Sequence, residues 1–396
     1  MPDLAPHARR AAYVLTAGSA VSILFSIAIS QILMALAFAA LLVSREPIRF
    51  PPLKLPLLLF FIGTVLSLLL ADDPHIGTPQ IRKFYVYLIA LLVASVYNSA
   101  GKIRNTVLLW AGVASLSALR SFAQFVQKFQ ESRTENVNFY QFYVGERITG
   151  FMSHWMTFGG EEMIVLLMLA AFLFFAPPSR WKLPASIACV LLAVSMLLGL
   201  TRGIWLGTAV GGIYLLWCWR PKLILALPAL IAVLLVFAPI RERVVSVFHP
   251  HGDLDSNEFR VVVWRTGVKM IEAHPWFGLG PEEVKAELPQ YIPADIPRPL
   301  PSGWYGHLHN IYLHYAAERG IPAMLMLMWF LGKIGYDFAR SLRGGPPVES
   351  RWVLHGALAV LIAVLVEGFF ELNLGDSEVL TLFLTATTFG YVARSS

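Results

Sequence analysis

The sequence predicts an all-α polytopic membrane protein. Three observations carry that prediction: a composition 57% hydrophobic and only 14% charged, a mean hydropathy of +0.62, and apolar runs that recur at the length of a bilayer-crossing helix. Water alone cannot be the solvent of such a chain.

A span takes roughly 17–25 mostly apolar residues, and fewer where a helix is interrupted or buried among others. Twelve segments fit, near residues 11–27, 28–43, 55–71, 83–98, 105–120, 158–176, 183–200, 203–218, 222–239, 309–338, 352–370 and 378–394. The tenth is the longest and is expected to begin outside the bilayer. The first apolar region, Ala11 to Val43, is about twice the length of a secretory signal core and has no small-residue cleavage site, so two retained spans are expected there. Residues 1–239 thus hold nine spans, with one long outer connection at 121–157. Residues 240–308 form a single large loop, and 309–396 hold the last three spans.

Charge orients these spans. With the N-terminus in the cytoplasm, the short connections on that side carry sixteen Lys and Arg, from Arg9 and Arg10 through Lys102, Arg180 and Arg351 to Arg394, against four Asp and Glu. Every short inner connection holds at least two basic residues, and inversion breaks the pattern. Both termini are then cytoplasmic and both long loops lie outside. The net charge of +6 sits in those connections instead of one basic stripe, so the expected partner is membrane lipid and not nucleic acid. Cys189 and Cys218 each lie inside an apolar run, which leaves no disulfide framework or thiolate metal cage.

The long loops carry the chemistry. In the second, Phe259 to Ala273 places Val262, Val263, Thr266, Val268, Met270 and Ile271 at helical spacing, followed by a turn-like His274-Pro275-Trp276-Phe277-Gly278. Gly278-x-Gly280 lacks the strand and βαβ context of a nucleotide loop and is expected to form a turn. His307-Leu308-His309-Asn310 leads into the tenth span, with His314 and Glu318 following at i, i+4 spacing from Asn310. On an ideal helix those three share a face and His309 points about 100° from Asn310, so a pocket lined from two sides is expected. Isolated interfacial histidines often only mark a wet boundary; three beside Asn and Glu point to function. Two histidines and a carboxylate can also hold a divalent ion, but no H-E-x-x-H pattern occurs and no metal is expected. Asp253 and Asp255 could likewise bind a cation, or simply solvate a loop.

The second constellation is cationic. Arg147, Arg202, Arg260 and Arg265 all fall on the outer side, and Arg202 interrupts about 35 apolar residues. An unpaired charge there is costly, so an anion should lie close by. Guanidinium groups grip phosphate oxygens at two points and stay charged, which suits a lipid diphosphate; pairing with Glu161, Glu162, Glu367 or Glu371 is the plainer alternative. Phe139, Tyr140, Phe142, Tyr143, Phe151 and Trp155 offer either sugar-stacking faces or membrane anchors.

His309-Asn310-Ile311-Tyr312-Leu313 with Glu318-x-Gly320-Ile321, Arg260-x-x-x-Trp264 leading to His274-Pro275-x-x-Gly278-x-Gly280, and Thr201-Arg202-Gly203 together resemble the O-antigen ligase and polymerase superfamily of bacterial envelope glycosyltransferases. The resemblance covers roughly residues 150–330 and implies a GT-C-like helical fold in a bacterial inner membrane, with its active site in the periplasm. It implies transfer of a glycan from an undecaprenyl diphosphate carrier, to lipid A-core oligosaccharide in the ligases and to a second carrier-linked glycan in the polymerases, without nucleotide sugar, ATP or metal. The modest length and the single large late loop look more like a ligase. His307 and His314 have no place in the family pattern.

On that resemblance His309 is the expected general base, since a neutral imidazole can take a hydroxyl proton near neutral pH. Arg202, Arg265, Arg260 and Arg147 are the expected diphosphate ligands, and His307 and Asn310 the expected substrate contacts beside the base. The competing class is a polysaccharide transporter, against which stands the absence of a repeated half and the gathering of polar residues at one face.

Overall fold

The computed structural model describes residues 5–250 and 257–395, and among them the chain is helical with no strand. The helices are α1 (Ala5–Ser22), α2 (Ile27–Ser44), α3 (Lys54–Leu69), α4 (Pro74–Arg82), α5 (Leu88–Val96), α6 (Ala100–Thr134), α7 (Phe139–Gly145), α8 (Trp155–Phe175), α9 (Lys182–Leu198), α10 (Arg202–Trp219), α11 (Leu227–Leu234), α12 (Ala238–Val245), α13 (Glu258–Ala273), α14 (Val284–Tyr291), α15 (Ile311–Arg343), α16 (Val348–Glu367) and α17 (Ser377–Ser395). Each of the twelve apolar segments falls largely in helix, the fourth beginning as a 3-10 turn and the ninth and tenth being broken. Among the described residues five helices, Ile27–Ser44, Pro74–Val96, Ala100–Thr134, Trp155–Phe175 and Val348–Glu367, are long and apolar enough to cross a membrane alone. A sixth crossing is completed if Pro221–Leu234 and Ala238–Val245, bent by 106° at their break, count as one. The chain is therefore a helical protein built for a membrane.

Helix α16 sits at the centre, packed against α8, α10, α15 and α17. Both α8 and α16 are buried nearly all round, whereas α2 and α9 turn Ile32, Leu36, Leu183 and Val190 outward as a lipid-facing surface. In lipid, apolar side chains gain little by leaving their solvent, so close contact between backbones holds the bundle. Helix α10 supplies that contact through Gly207 and Gly211, where an added Cβ would come within 2.7 Å of the Ala363 carbonyl and 2.9 Å of the Ala359 carbonyl of α16. The close crossing brings Arg202, at the start of α10, beside the end of α16.

The two ends of the bundle differ. At one end Arg9 pairs with Glu46 (3.1 Å), Ser95 bonds to the Arg49 carbonyl (3.2 Å), and Asp337 takes both Lys333 (3.0 Å) and Arg394 (3.3 Å). At the other, Lys83 donates to the Gly375 carbonyl (3.2 Å), Thr157 to Asp376 (2.8 Å), Arg147 to Thr201 (3.2 Å) and Ser67 to the Glu318 carbonyl (2.9 Å). The connections that charge assigns to the outside thus meet at one end.

Helix α15 is broken at Gly320, whose φ of 82° and ψ of 162° leave the helix. The freed backbone groups are taken by residues 274–280. Leu279 and Gly280 donate to the Ala317 and Glu318 carbonyls, each at 2.9 Å, and Ile321 donates to the Pro275 carbonyl at 2.8 Å. Backbones this close exclude side chains: a Cβ on Gly278 would lie 2.4 Å from the Glu318 carbonyl carbon, and one on Gly320 would lie 2.2 Å from the Trp276 oxygen. The Gly278-x-Gly280 turn expected from sequence is therefore a clasp on the broken helix. Helix α13 likewise forms where periodicity placed it and buries Val262, Val263, Thr266 and Met270, while Val268 is exposed.

Gly320→Val is expected to lower the melting temperature in detergent sharply, because it combines a positive φ with that collision; backbone strain of this kind alone costs about 1–3 kcal/mol. Gly332→Ala in the same helix, with open space around its Cβ, is the control, and equal melting temperatures for the two variants would refute the clasp.

Candidate active site

Helix α15 starts at Ile311 because Asn310 caps it. The Asn310 side-chain oxygen accepts the N–H groups of Tyr312 (2.9 Å) and Leu313 (3.0 Å), and its amide donates to the Phe369 carbonyl (3.2 Å). Ile311 also donates to the Gly368 carbonyl at 2.8 Å. The start of α15 is thereby pinned to the end of α16. Asn310, expected to touch substrate, caps the helix it begins, and its oxygen is taken twice by that helix.

His309, just before the cap, holds a left-handed φ of 48°, uncommon for any residue but glycine. Its ring is buried. Nδ1 lies 3.1 Å from Glu371 Oε2, and Nε2 lies 3.0 Å from the Trp304 carbonyl oxygen. His307 Nε2 lies 3.0 Å from the other Glu371 oxygen, and His307 Nδ1 accepts the His309 N–H at 3.0 Å. That last bond leaves the His307 proton on Nε2, so His307 is a neutral donor to Glu371. Burial pushes the His307 ring down from its ordinary pKa, against the pull of Glu371. Burial alone would raise Glu371, but the hydrogen bonds from His307 and His309 outweigh it and hold the carboxylate well below its usual range. A neutral His309 ring can donate to only one of its two acceptors. If Nδ1–H goes to Glu371, Nε2 keeps a lone pair that a substrate hydroxyl can reach once Trp304 yields.

The ligand atoms of His307, His309 and Glu371 lie within 4.8 Å of one another, a spacing that suits a divalent ion. The donor chemistry does not fit one. A metal-bound imidazole donates through its second nitrogen, whereas His307 accepts through Nδ1 and has its proton where a metal would need a lone pair. Asp253 and Asp255, the other candidate pair, lie outside the described residues.

Four guanidinium groups gather near His309 and Glu371. Arg202 Nη2 and Arg260 Nη1 both bond to the Asn257 side-chain oxygen at 3.1 Å. Arg147 donates to Thr201 (3.2 Å) and to the Val144 carbonyl (3.1 Å), and lies 4.8 Å over the Trp155 ring. Arg243, 5% exposed, donates through Nε to the Leu200 carbonyl at 2.8 Å. Arg243 Nη1 and Arg260 Nε are buried without a hydrogen-bond acceptor, a costly state for charged donors that an anion would relieve. Burial pulls the Arg147 pKa down to about 9, with Arg243 next among the causes and Arg260 and Arg202 adding to it. Burial also lowers Arg260, against the pull of Glu371 and with Arg243 adding to the effect. Arg260 thus links the cationic group to the His309–Glu371 pair.

Arg265 stands apart, contrary to expectation. Five positions beyond Arg260, it points about 140° away around the helix, and it pairs with Asp295 at 2.8 and 3.0 Å on the exposed surface. His314 and Glu318 do meet, at 3.5 Å. Of the six aromatic candidates, Phe139, Tyr140 and Tyr143 pack into a small core, while Trp155 lines a cleft of about 290 Å³ with Gln124, Lys128 and Arg147.

Residues 187–328 match the family model described as O-antigen ligase. Over that stretch, about a third of the chain, the sequence is similar to this family. No curated protein matches the chain. The matched stretch runs from α9 into α15 and includes Arg202, Arg243, Arg260, His307 and His309, whereas Arg147 and Glu371 lie outside it. Sequence reasoning missed Arg243 and weighed Glu371 only as an arginine partner. The signal for Arg243 was one more basic residue on the outer side just past an apolar run.

Asn310→Ala is expected to cost about 1–2 kcal/mol of stability, the usual effect of removing a cap, and Asn310→Ser to restore most of it. Equal losses in detergent melting experiments would assign the role to the Phe369 bond instead.

Proposed function

We propose that the protein is an O-antigen ligase, transferring O-antigen polysaccharide from undecaprenyl diphosphate to lipid A-core oligosaccharide at the periplasmic face of a bacterial inner membrane. On this reading the twelve apolar segments are twelve crossings, both termini are cytoplasmic, and the end bearing Glu371 is periplasmic. The observation that carries it is the meeting of four guanidiniums with a carboxylate-held imidazole at one end of the bundle, three of the guanidiniums and the imidazole lying in the stretch similar to the O-antigen ligase family. A carrier-linked glycan offers a diphosphate leaving group, and buried guanidinium donors without acceptors are suited to it.

In the step proposed, an acceptor hydroxyl oxygen attacks the anomeric carbon of the first donor sugar. Its proton passes to His309 Nε2, the anomeric carbon–oxygen bond to the diphosphate breaks, and the electron pair leaves with the lipid diphosphate. Arg202, Arg260, Arg243 and Arg147 hold that diphosphate and stabilise the charge that grows on it, a role in which preorganised donors act most strongly away from water. Glu371 fixes the His309 ring and stabilises the imidazolium that forms, and His307 holds the other oxygen of Glu371. A single displacement inverts the anomeric configuration.

The deciding experiment mixes purified protein in detergent with carrier-linked O-antigen and lipid A-core, without nucleotide and with EDTA. Ligated lipopolysaccharide on a gel is expected, and a product formed only with a second carrier-linked glycan would make the protein a polymerase. His309→Ala is expected to abolish transfer, and Glu371→Gln and Arg243→Met to slow it by about 10²-fold or more, the scale of losing a charge-stabilising donor. Arg202→Lys should be nearly as damaging, since a point charge lacks the planar fork. Arg265→Ala should retain most activity. Retention of anomeric configuration, read by NMR of the product, would exclude the one-step scheme.

A further inference from the structure

Beside the His307–Glu371 bond lies a cavity of about 220 Å³ whose walls include none of the four clustered guanidiniums. It is bounded by Trp304 and His307 on the loop side, by His314 and Glu318 from α15, and by Lys83 and Asp376 from other connections. At ~30 Å³ per water, the space equals about seven waters, enough for a sugar ring. Both cations and carboxylates line it, which suits hydroxyl groups that both donate and accept. A diphosphate would meet four carboxylates here, Glu282, Glu318, Glu371 and Asp376.

His314 lines the cavity and carries an unused hydrogen-bonding nitrogen. It is 6% exposed, and its Nδ1 is buried with no hydrogen-bond partner. Its Nε2 lies 3.5 Å from Glu318 Oε1, an oxygen that also accepts the Glu282 N–H at 2.7 Å, while the other Glu318 oxygen takes Arg319 Nε at 3.1 Å. A carboxylate so placed favours the proton on Nε2 and leaves Nδ1 an acceptor. Trp304 closes the gap to the base: its carbonyl, 3.0 Å from His309 Nε2, stands where a reacting hydroxyl would sit, and its ring packs edge-on to His307 at 4.5 Å.

We propose that this cavity binds the acceptor sugar, with His314 and Lys83 holding its hydroxyls, and that the sugar displaces the Trp304 carbonyl from His309. The proposal rests on the transferase reading above and adds to it a separate place for the second substrate. Donor and acceptor then approach His309 from two sides, the diphosphate from the guanidiniums and the sugar from the cavity.

The test is steady-state transfer by the full-length protein, with each substrate varied in turn. His314→Gln and Lys83→Met are expected to raise KM for lipid A-core by 10-fold or more, with KM for the carrier-linked donor and kcat changed less than about 2-fold. Detergent melting temperatures identify variants that are merely unfolded, and Lys83→Met, on the other wall, stands in if His314→Gln is one of them. An unchanged acceptor KM in two folded variants, or a rise confined to donor KM, overturns the proposal. If the wild-type protein transfers nothing, the transferase reading fails, and saturation-transfer NMR with delipidated core oligosaccharide judges the cavity alone. Signal with wild type that is lost in both variants upholds a sugar site, and no signal with wild type removes it.

Discussion

The site depends on one buried carboxylate. Glu371 lies between α16 and α17, where an ionised group without partners would be too costly to keep. It is kept because each oxygen meets an imidazole, His307 on one side and His309 on the other. Both histidines come from the last residues of the large loop, so the same bonds that stabilise the charge moor that loop to the bundle. Asn310 then carries the constraint into α15 through its cap and its bond to Phe369. Position of His309, start of the helix and end of the loop are consequences of a single need to satisfy Glu371.

A second constraint is where charge can reside. Four guanidiniums would be prohibitive at the middle of a bilayer, and here they collect at the end of the bundle where the long connections meet. Their approach to Glu371 depends on helix packing that has no charge in it. Gly207 and Gly211 let α10 lie against α16, and that contact sets Arg202 beside the residues leading to Glu371. The break in α15 works alongside it. By leaving the helix at Gly320, the chain frees the carbonyls that residues 274–280 clasp, which fixes the far end of the loop bearing α13 and Arg260.

Much of this was legible in the sequence, and the boundary of legibility has a physical cause. Apolar periodicity is local, so all twelve hydrophobic segments and the amphipathic α13 could be placed as helices. Charge at connections is local too, and the structure gathers the outer ones at one end. Which polar atoms meet across the fold is not local. Arg260 and Arg265 look equivalent as a pair of arginines in one helix, yet helical rotation sends one to Asn257 beside Arg202 and the other to Asp295. Asn310 reads as a substrate contact until the helix is seen to begin one residue later. Glu371 lies 62 residues from His309, and spacing gives no hint that the two share a hydrogen bond. Arg243 carried only its charge as a signal, and burial against the Leu200 carbonyl separates it from the other loop arginines.

A transferase that uses a lipid diphosphate donor faces competition from water, which is far more abundant than any acceptor sugar and is activated by the same base. In this structure the ring nitrogen that such a base would use, His309 Nε2, lies 3.0 Å from the Trp304 carbonyl oxygen, and Trp304 packs against His307 and lines the cavity. On the function proposed, a lone water would have to displace a backbone group whose ring is also packed, whereas a sugar could draw on several cavity contacts at once. Binding energy from groups remote from the reacting atoms would then uncover the base. On that reading, productive geometry would depend on the correct acceptor.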